Sequence, residues 1–469
     1  MLYRLAKTNS VILFNAGSFV GATAVTSILG FAYWWIAARL FPPQALGLES
    51  AAISAMTLLG TVCIVGLGTL LVGELPRQPG KEGSLISAAL IVAGGIGGCA
   101  GLVFVVVAPI IATDLQPLRA NAQNIVLFTV GVSLTAITLV LDYALIGLLR
   151  GQLRFWRNAL FALAKLAALF EASLWLSHII GLTIYATWAI GNAFSLAALA
   201  GYAVLKGKEF KNARWPEWRL LRKLGPTAIK HHMLNLTLQA PALTLPVLVT
   251  VLLSATANAW FYVSWMLASF VFVVPTGLTT VLYATVSGQP SALAHKTRLT
   301  LSLAAVASIF AASVLLLGNK QLLGLFGQVY AEQAASSLRI LAFGSFPIII
   351  KHHYVTICRV QDRMARATLP MTIGGLLELG GAALGAHLAG LPGLSLGWFT
   401  AACVEALFMS RTVYKAAWPK AISTSKNRLQ RYQLQQNDEH IAATQTKKLE
   451  VLTVEVDEDA VERKQRIDQ

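Results

Sequence analysis

Hydrophobic residues in this chain occur in long, nearly continuous stretches. A stretch of about eighteen or more apolar residues with few charges is long enough to cross a bilayer as an α-helix. Strand-type alternation is absent, so we predict an all-α polytopic membrane protein with about twelve transmembrane helices. The predicted spans are residues 10–36, 46–73, 85–111, 123–149, 157–177, 180–205, 229–252, 257–285, 297–318, 335–358, 367–389 and 392–414.

A short polar motif occurs twice, each time between two apolar stretches. Its second copy lies 209 positions after its first, and each copy follows the fourth span of its half of the chain. Such an echo indicates internal duplication, and copies on the same side of the membrane predict a parallel repeat. The two copies are Arg150-x-Gln152-x-Arg154-x-x-Arg157 and Arg359-x-Gln361-x-Arg363-x-x-Arg366.

The duplication predicts the domain organisation. Residues 1–205 would form a lobe of six spans, and residues 229–415 a second lobe of six. Residues 206–228 would be a basic cytoplasmic linker between the lobes. Residues 416–469 carry 9 basic and 9 acidic residues and few large apolar ones, which is typical of a disordered cytoplasmic tail.

Charge predicts the orientation of the spans. The chain is 56% hydrophobic and 12% charged, with a mean hydropathy of +0.64 and a formal net charge of +16. Basic residues concentrate in the termini and the even-numbered connections, a positive-inside pattern that predicts cytoplasmic termini. This dispersed charge over short loops argues against a nucleic-acid partner.

Several sequence patterns that would indicate an enzyme are missing. The chain has no G-x-x-x-x-G-K-[ST] phosphate loop, and its predicted periplasmic loops are short and poor in carboxylates. The four cysteines lack ligand spacing, so we expect no metal site. We therefore predict a non-enzyme without a cofactor.

Polar residues inside the spans are candidate functional residues, because charge in a bilayer is costly. Two Lys-His-His triplets predict a cationic patch that binds a phosphate or acidic sugar. Lys165 in the fifth span is a further candidate for this patch. An alternative is that the lysines reach the interface and the histidines bond helix carbonyls. The triplets are Lys230-His231-His232 and Lys351-His352-His353.

Carboxylates in the spans are candidates for gating or ion coupling. Asp142 in the fourth span matches Lys351 in the 209-residue register, so the two charges could meet across the cavity. A static ion pair between the lobes explains the same match. Glu49 is the other candidate for gating or coupling. For Glu49, Glu378 and Glu405 alike, we expect a buried, hydrogen-bonded or protonated group, with a coupling site as the alternative.

A series of loose motifs occurs in a specific order along the chain. The motifs include Ala37-Ala38-Arg39-Leu40-Phe41-Pro42-Pro43, Leu46-Gly47, Gly66-Leu67-Gly68, Leu75-Pro76-Arg77, Leu245-Pro246, Asn258-Ala259-x-Phe261-Tyr262-x-x-Trp265-Met266, Pro275-Thr276, Leu322-Leu323-x-Leu325-Phe326-Gly327, Tyr330-Ala331 and Leu338-Arg339. In this order the motifs resemble the polysaccharide-transporter (O-antigen flippase) branch of the multidrug/oligosaccharidyl-lipid/polysaccharide (MOP) superfamily. The resemblance covers nearly all of residues 9–415 and implies two six-helix lobes in a V around a central cavity.

The resemblance implies that a lipid-linked oligosaccharide is flipped from the cytoplasmic to the outer leaflet for cell-surface polysaccharide or lipopolysaccharide synthesis. Its implied partners are this cargo, membrane lipids, a coupling H⁺ or Na⁺ and the glycan-polymerisation machinery. One alternative is an ion-coupled multidrug or metabolite antiporter, which would prefer carboxylates in its cavity. A second is a non-transport polymerase or scaffold in a glycan-synthesis complex.

Overall fold

The computed structural model describes residues 26–419 except 79, 176–181, 206–217, 287–291 and 362. Regular structure in this part is helical, and α1 covers residues 26–40. The other helices are α2 Pro43–Cys63, α3 Leu67–Glu74, α4 Glu82–Ile111, α5 Ala122–Gly147, α6 Gly151–Trp175, α7 Thr183–Leu205, α8 Trp218–Leu252, α9 Ala255–Val286, α10 Leu293–Leu317, α11 Asn319–Gly324, α12 Gln328–Gln333, α13 Ala335–Ala342, α14 Ser345–Val360 and α15 Met364–Ala417. Two short 3₁₀ helices follow α3 and α4.

Helix α15 contains two of the predicted spans. At 54 residues it is too long for one crossing, and its backbone leaves the helical region at Ala389 and Gly390. Gly390 has φ +59°, which a glycine adopts without steric cost. We call the two parts α15a, residues 364–388, and α15b, residues 391–417.

Two predicted spans are broken where we expected continuous helices. The span 46–73 is interrupted between α2 and α3, where Val65 and Gly66 both have positive φ. The span 335–358 bends by 41° between α13 and α14. Within the described part, eight helices are long and apolar enough to cross a membrane, or nine with this bent pair. Separating α15a from α15b and adding α1 and the more polar α6 gives the twelve crossings that we predicted.

Successive crossings alternate in direction, which defines two ends of the bundle. The basic end carries the turns at 147–151 and 360–364, and the opposite end carries the turns at 40–43 and 252–255. The predicted all-α, two-lobed fold class is confirmed. We use first lobe for α1–α7 and second lobe for α8–α15, which is the division that the sequence predicts.

The repeated Arg-Gln motif is out of register between the two lobes. Helix α6 begins immediately after Arg150, whereas α15 begins immediately after Arg363. The four-residue difference is about one helical turn. The 209-residue offset therefore does not match structurally equivalent positions, and the proposed equivalence of Asp142 with Lys351 is wrong.

The lobes pack together through α2 of the first lobe against α8 and α9 of the second. A Cβ atom at Gly47 would overlap the backbone of Ala255, so this contact requires glycine. Asp114 of the first lobe accepts a hydrogen bond from the Ala255 N–H at 2.7 Å and caps the start of α9. These contacts join the two lobes at the opposite end.

Candidate functional site

Three charged side chains form an ion cluster inside the second lobe. The ammonium of Lys351 on α14 lies 2.6 Å from Glu378 Oε1 on α15a and 3.0 Å from Glu405 Oε2 on α15b. All three residues are buried, at 7%, 5% and 4% exposure. The indole N–H of Trp398 donates to Glu378 Oε2 at 3.0 Å. Charges in such a site must be compensated locally because water does not solvate them.

The cluster depends on close approach of the two halves of α15. A Cβ atom at Gly374 would overlap the carboxylate of Glu405, so glycine leaves the space that this side chain occupies. Farther along, Cβ atoms at Gly381 and Gly385 would press on the backbone of α15b. The glycines let α15a and α15b touch, as small residues do between membrane helices. This contact brings Glu378 and Glu405 to the same ammonium.

Cavities lie on two sides of the cluster. One, of about 190 Å³, lies between α8, α9, α14 and α15 and is lined by Lys351, Glu378 and Trp398. The other, of about 370 Å³, is a groove between α14, α15a and α15b, and Glu405 lines it. Exposed Leu369 and Phe408 form part of the wall of this groove. The two acids of the cluster therefore face different spaces.

The histidines that follow Lys351 differ in their surroundings. His352 lines the 190 Å³ cavity. His353 is fully buried, with Nδ1 2.7 Å from the carbonyl of Ile349 and Nε2 3.0 Å from Thr300 Oγ1. His353 thus has the helix-carbonyl bond of our alternative interpretation.

The first Lys-His-His triplet lies near the start of α8. His232 is buried at 5% exposure. The side chains of Lys230 and His231 lie outside the described residues. The cationic patch stays a prediction, and the ammonium of Lys351 in it is already bound to two acids.

Lys165 is held by aromatic rings in the first lobe. Its ammonium lies 4.0 Å from the ring centroid of Trp188, 4.7 Å from Tyr33 and 4.9 Å from Phe161. The residue is 4% exposed, and no carboxylate of the described residues lies within ion-pair distance of it. We call these three rings the aromatic cage. Cation–π contacts contribute about 2 kcal/mol or more when desolvated, which offsets only part of the several kcal/mol that burying an unpaired charge costs.

The aromatic cage adjoins the boundary between the lobes. Trp34 packs against Tyr33 and Trp188, and its ring centroid lies 4.5 Å from that of Tyr262 on α9. The Tyr33 hydroxyl shares a hydrogen bond of 2.6 Å with Thr187 Oγ1, which fixes the ring that faces Lys165. Movement of one lobe against the other would therefore reach the surroundings of Lys165.

The acids of the first lobe are engaged in local contacts. Glu49 Oε2 accepts from the backbone N–H of Tyr185 at 2.7 Å, which caps α7 where its N–H groups lack helical partners. Asp142 accepts two hydrogen bonds of 2.8 Å from Arg157. The expected meeting of Asp142 with Lys351 does not occur, because each has other ion partners.

The arginine motif contributes different contacts in each lobe. In the first copy, Arg157 is buried and Arg154 Nε lies 3.7 Å from Asp142. In the second, Arg359 donates to Asn235 at 2.6 Å and Arg366 is exposed. The four-residue slip explains the difference, because it moves each side chain to another turn. Gln152, Gln361 and Arg363 are exposed.

Sequence reasoning missed the aromatic partners and the joining of the acids. Tyr33 and Trp188 are 155 positions apart, and Glu378 and Glu405 were each weighed alone. A charged residue in an apolar helix was the available signal for both sites. No signal in the sequence indicated which helices bring these side chains together.

No protein-family model matches the sequence, and no curated protein matches it. Several solved structures, in contrast, are similar to this chain. The lipid II flippase MurJ in an inward closed conformation has a TM-score of 0.65 at 12% identity, over 84% of this chain and 87% of that one. An inward-facing multidrug resistance MATE family transporter of the MOP superfamily has a TM-score of 0.62 at 14% identity, over 84% of this chain and 96% of that one.

A third similar structure is a MOP superfamily transporter from Pyrococcus furiosus, whose description reports a binding pocket of reversed polarity suggesting a different function. It has a TM-score of 0.56 at 13% identity, over 87% of this chain and 96% of that one. Identities this low establish the fold and not the cargo. The chain therefore has the fold of MOP superfamily transporters, to which both the MATE and the MurJ structures belong.

Proposed function

We propose that the protein moves an amphipathic molecule with an anionic head across the cytoplasmic membrane, and that this molecule is a lipid-linked oligosaccharide. The observation that carries the proposal is Lys165, a buried lysine near the lobe boundary whose ammonium has three rings around it and no carboxylate of a described residue within ion-pair distance. An anionic group would supply the missing counter-charge. The rings supply apolar surface around a single polar group, as in sites for small organic molecules.

The charges of the first lobe favour an anionic cargo over a cationic one. Glu49 is hydrogen-bonded at the start of α7 and Asp142 is paired with Arg157, so neither acid is available to a cationic drug. A polyprenyl-diphosphate sugar has a head too polar for hydrocarbon and a tail too apolar for water. Movement of the lobes would carry the head across while the tail stays in lipid, without catalysis.

The arrangement of the termini is part of the proposal. Placing the basic end in the cytoplasm follows the positive-inside distribution of lysine and arginine. The division into lobes at 1–205 and 229–415, joined by a basic linker, agrees with the order of the helices. Much of the linker and nearly all of the predicted tail at 416–469 lie outside the described residues.

A cation antiporter is the second candidate, because the cluster in the second lobe has more acid than base. Depleting the protein from its native cells separates the two. Lipid-linked oligosaccharide trapped in the cytoplasmic leaflet, with unchanged sensitivity to cationic compounds, is the result we expect. Normal glycan with increased sensitivity to such compounds would reject the flippase and support the antiporter.

A variant connects the experiment to the site. Lys165→Gln, expressed in the depleted cells, should fail to restore export although it is present in the membrane at the normal level. Lys320→Gln is the control, because it removes the same charge from an exposed lysine outside the aromatic cage. Full export by Lys165→Gln would remove the aromatic cage from the proposal.

A further inference from the structure

The second copy of the arginine motif places one cation, Arg359, at the boundary between the lobes. Arg359 lies in the last turn of α14, at the basic end, and donates to Asn235 Oδ1 on α8 at 2.6 Å. The phenol groups of Tyr283 on α9 and Tyr143 on α5 are close enough to interact with it electrostatically. Because α5 belongs to the first lobe, the surroundings of this guanidinium come from both lobes.

The charge of Arg359 is not neutralised by any described acid. Asp142 pairs with Arg157 and two glutamates pair with Lys351, but no carboxylate of a described residue lies within ion-pair distance of the partly buried Arg359. A guanidinium has five N–H donors, and Asn235 accepts from one of its nitrogens. The remaining donors suit an anion with several acceptor oxygens, and the planar fork matches phosphate in particular.

A second polar group at the same boundary lacks a partner. His232 precedes Asn235 by three positions on α8, so the two side chains lie on one face of the helix. The residue is 5% exposed, its ring lies beside backbone carbonyls of the last turn of α2, and its Nε2 is buried without a hydrogen-bond partner. An unpaired buried nitrogen is costly unless a ligand or water bonds to it. We call Arg359, Asn235, His232 and Tyr143 the entry site.

We propose that the entry site binds the diphosphate of the incoming lipid-linked cargo, with Arg359 on the phosphate oxygens and His232 as a further hydrogen-bond donor. This inference rests on the proposed function and adds a second anion site to it. Asn235 is a positioning residue, because it holds one nitrogen of the guanidinium and leaves the other N–H groups for the ligand. No covalent bond forms or breaks.

The entry site lies closer to the basic end than the aromatic cage does. Arg359 is in the last turn of α14, whereas Lys165 is about 20 Å along α6 from the start of that helix at the basic end. A head that enters from the basic end meets Arg359 first and Lys165 second. The two cations would therefore bind the same diphosphate in succession.

Calorimetric titration of the full-length protein in detergent, with farnesyl diphosphate as the probe, tests the entry site. A Lys165→Gln background keeps the aromatic cage from contributing. Adding Arg359→Gln should weaken binding by about tenfold or more, because charge-assisted hydrogen bonds are lost. Arg363→Gln is the matched control, since it removes the same charge from an exposed arginine of the same motif. Equal affinity of the Arg359→Gln and Arg363→Gln proteins would overturn the proposal.

Asn235→Asp gives a second test that does not depend on the folding of Arg359→Gln. It keeps the size of the side chain and its acceptor oxygen, but its carboxylate pairs with Arg359 and competes with the ligand. We expect binding to be lost, although a purely structural role of Asn235 would tolerate this change. Undiminished binding by Asn235→Asp would overturn the proposal. His232→Phe should also lower the affinity, and an unchanged affinity would remove His232 from the entry site.

Competition experiments separate the sources of phosphate. Inorganic pyrophosphate should displace farnesyl diphosphate, which would show that the diphosphate itself is recognised. Displacement by phosphatidylglycerol at the same concentration would overturn the assignment, because it would identify a site for bulk anionic lipid.

The binding measurement and the depletion experiment fail independently. Absent binding, with lipid-linked oligosaccharide trapped on depletion, would reject the entry site and leave the proposed function. Binding that depends on Arg359, with normal glycan on depletion, would reject the proposed cargo and leave a site for a diphosphate.

Discussion

The side-chain amide of Asn258 donates to the backbone carbonyl of Gly47 at 2.7 Å, which joins α9 of the second lobe to α2 of the first. The same amide lies 3.1 Å from Ser50 Oγ. Nearby, Arg39 donates to the carbonyl of Leu325 at 2.7 Å, again from the first lobe to the second. An alternating-access transporter must break these contacts when it opens at this end.

Gly47→Ala should shift the protein toward a state that is open at the end of the bundle opposite the basic end, where Gly47 contacts α9. The added methyl overlaps the backbone of α9, so the closed packing cannot form without displacement. Spin labels at cysteines replacing Arg119 and Lys320, in a background without the native cysteines, would report the separation of the lobes. We expect a longer distance in Gly47→Ala.

The matched control for this substitution is Gly98→Ala. A Cβ atom at Gly98 meets nothing within 4 Å, so its distance distribution should be that of the wild type. Identical distributions for Gly47→Ala and the wild type would show that the α2–α9 contact does not hold this end closed.

Lys165→Arg should retain part of the transport that Lys165→Gln loses. The guanidinium keeps the positive charge and also packs on aromatic faces, although its planar shape fits the aromatic cage differently. The measurement is export of lipid-linked oligosaccharide in depleted cells at matched protein abundance. Equal loss in both variants would indicate that the shape of the aromatic cage matters more than its charge.

Asp142→Asn should destabilise the protein by about 3–5 kcal/mol, because it leaves the buried guanidinium of Arg157 without its anion. Thermal unfolding in detergent would measure the loss. The double variant Asp142→Leu with Arg157→Leu should lose less stability than Asp142→Asn, because it leaves no unpaired charge of this pair. The pair of Glu74 with the exposed Arg77 is the control, and Arg77→Ala should change stability by less than about 1 kcal/mol.

An unchanged unfolding temperature for Asp142→Asn would contradict the structural role of Asp142. That result would instead support the gating or ion-coupling role predicted for Asp142 from its position in a span.

Lys351→Met should leave the two carboxylates of the cluster facing each other without a cation. The variant should be less stable than the wild type and should recover stability as the pH falls, because protonation removes the repulsion. Adding Glu405→Gln should restore stability at neutral pH. Lys351→Met with normal stability at all pH values would argue against close contact of these groups.

A separate prediction concerns transport, since Lys351→Ala should abolish export.

The sequence could predict the helices because the membrane sets their length and polarity locally. Eleven of the twelve predicted spans match described helices or helix pairs, and the first is described only from residue 26. The breaks at Val65 and between α13 and α14 were not predicted because the apolar pattern continues through both, although Gly66 lies at the first break and Gly344 and Pro347 lie at the second. The 209-residue offset did not predict structurally equivalent positions, because the same residue types can lie one helical turn apart in two related helices.

The chain by itself determined that this is a two-lobed bundle of about twelve helices with costly charges at a few places inside it. Only the tertiary structure decided the partners of those charges. Lys165 and Lys351 look alike as lysines in apolar helices, yet one is surrounded by three rings and the other by two acids. The reason is that helical periodicity fixes the face on which a side chain lies, whereas its partners come from helices far away in sequence that pack against that face.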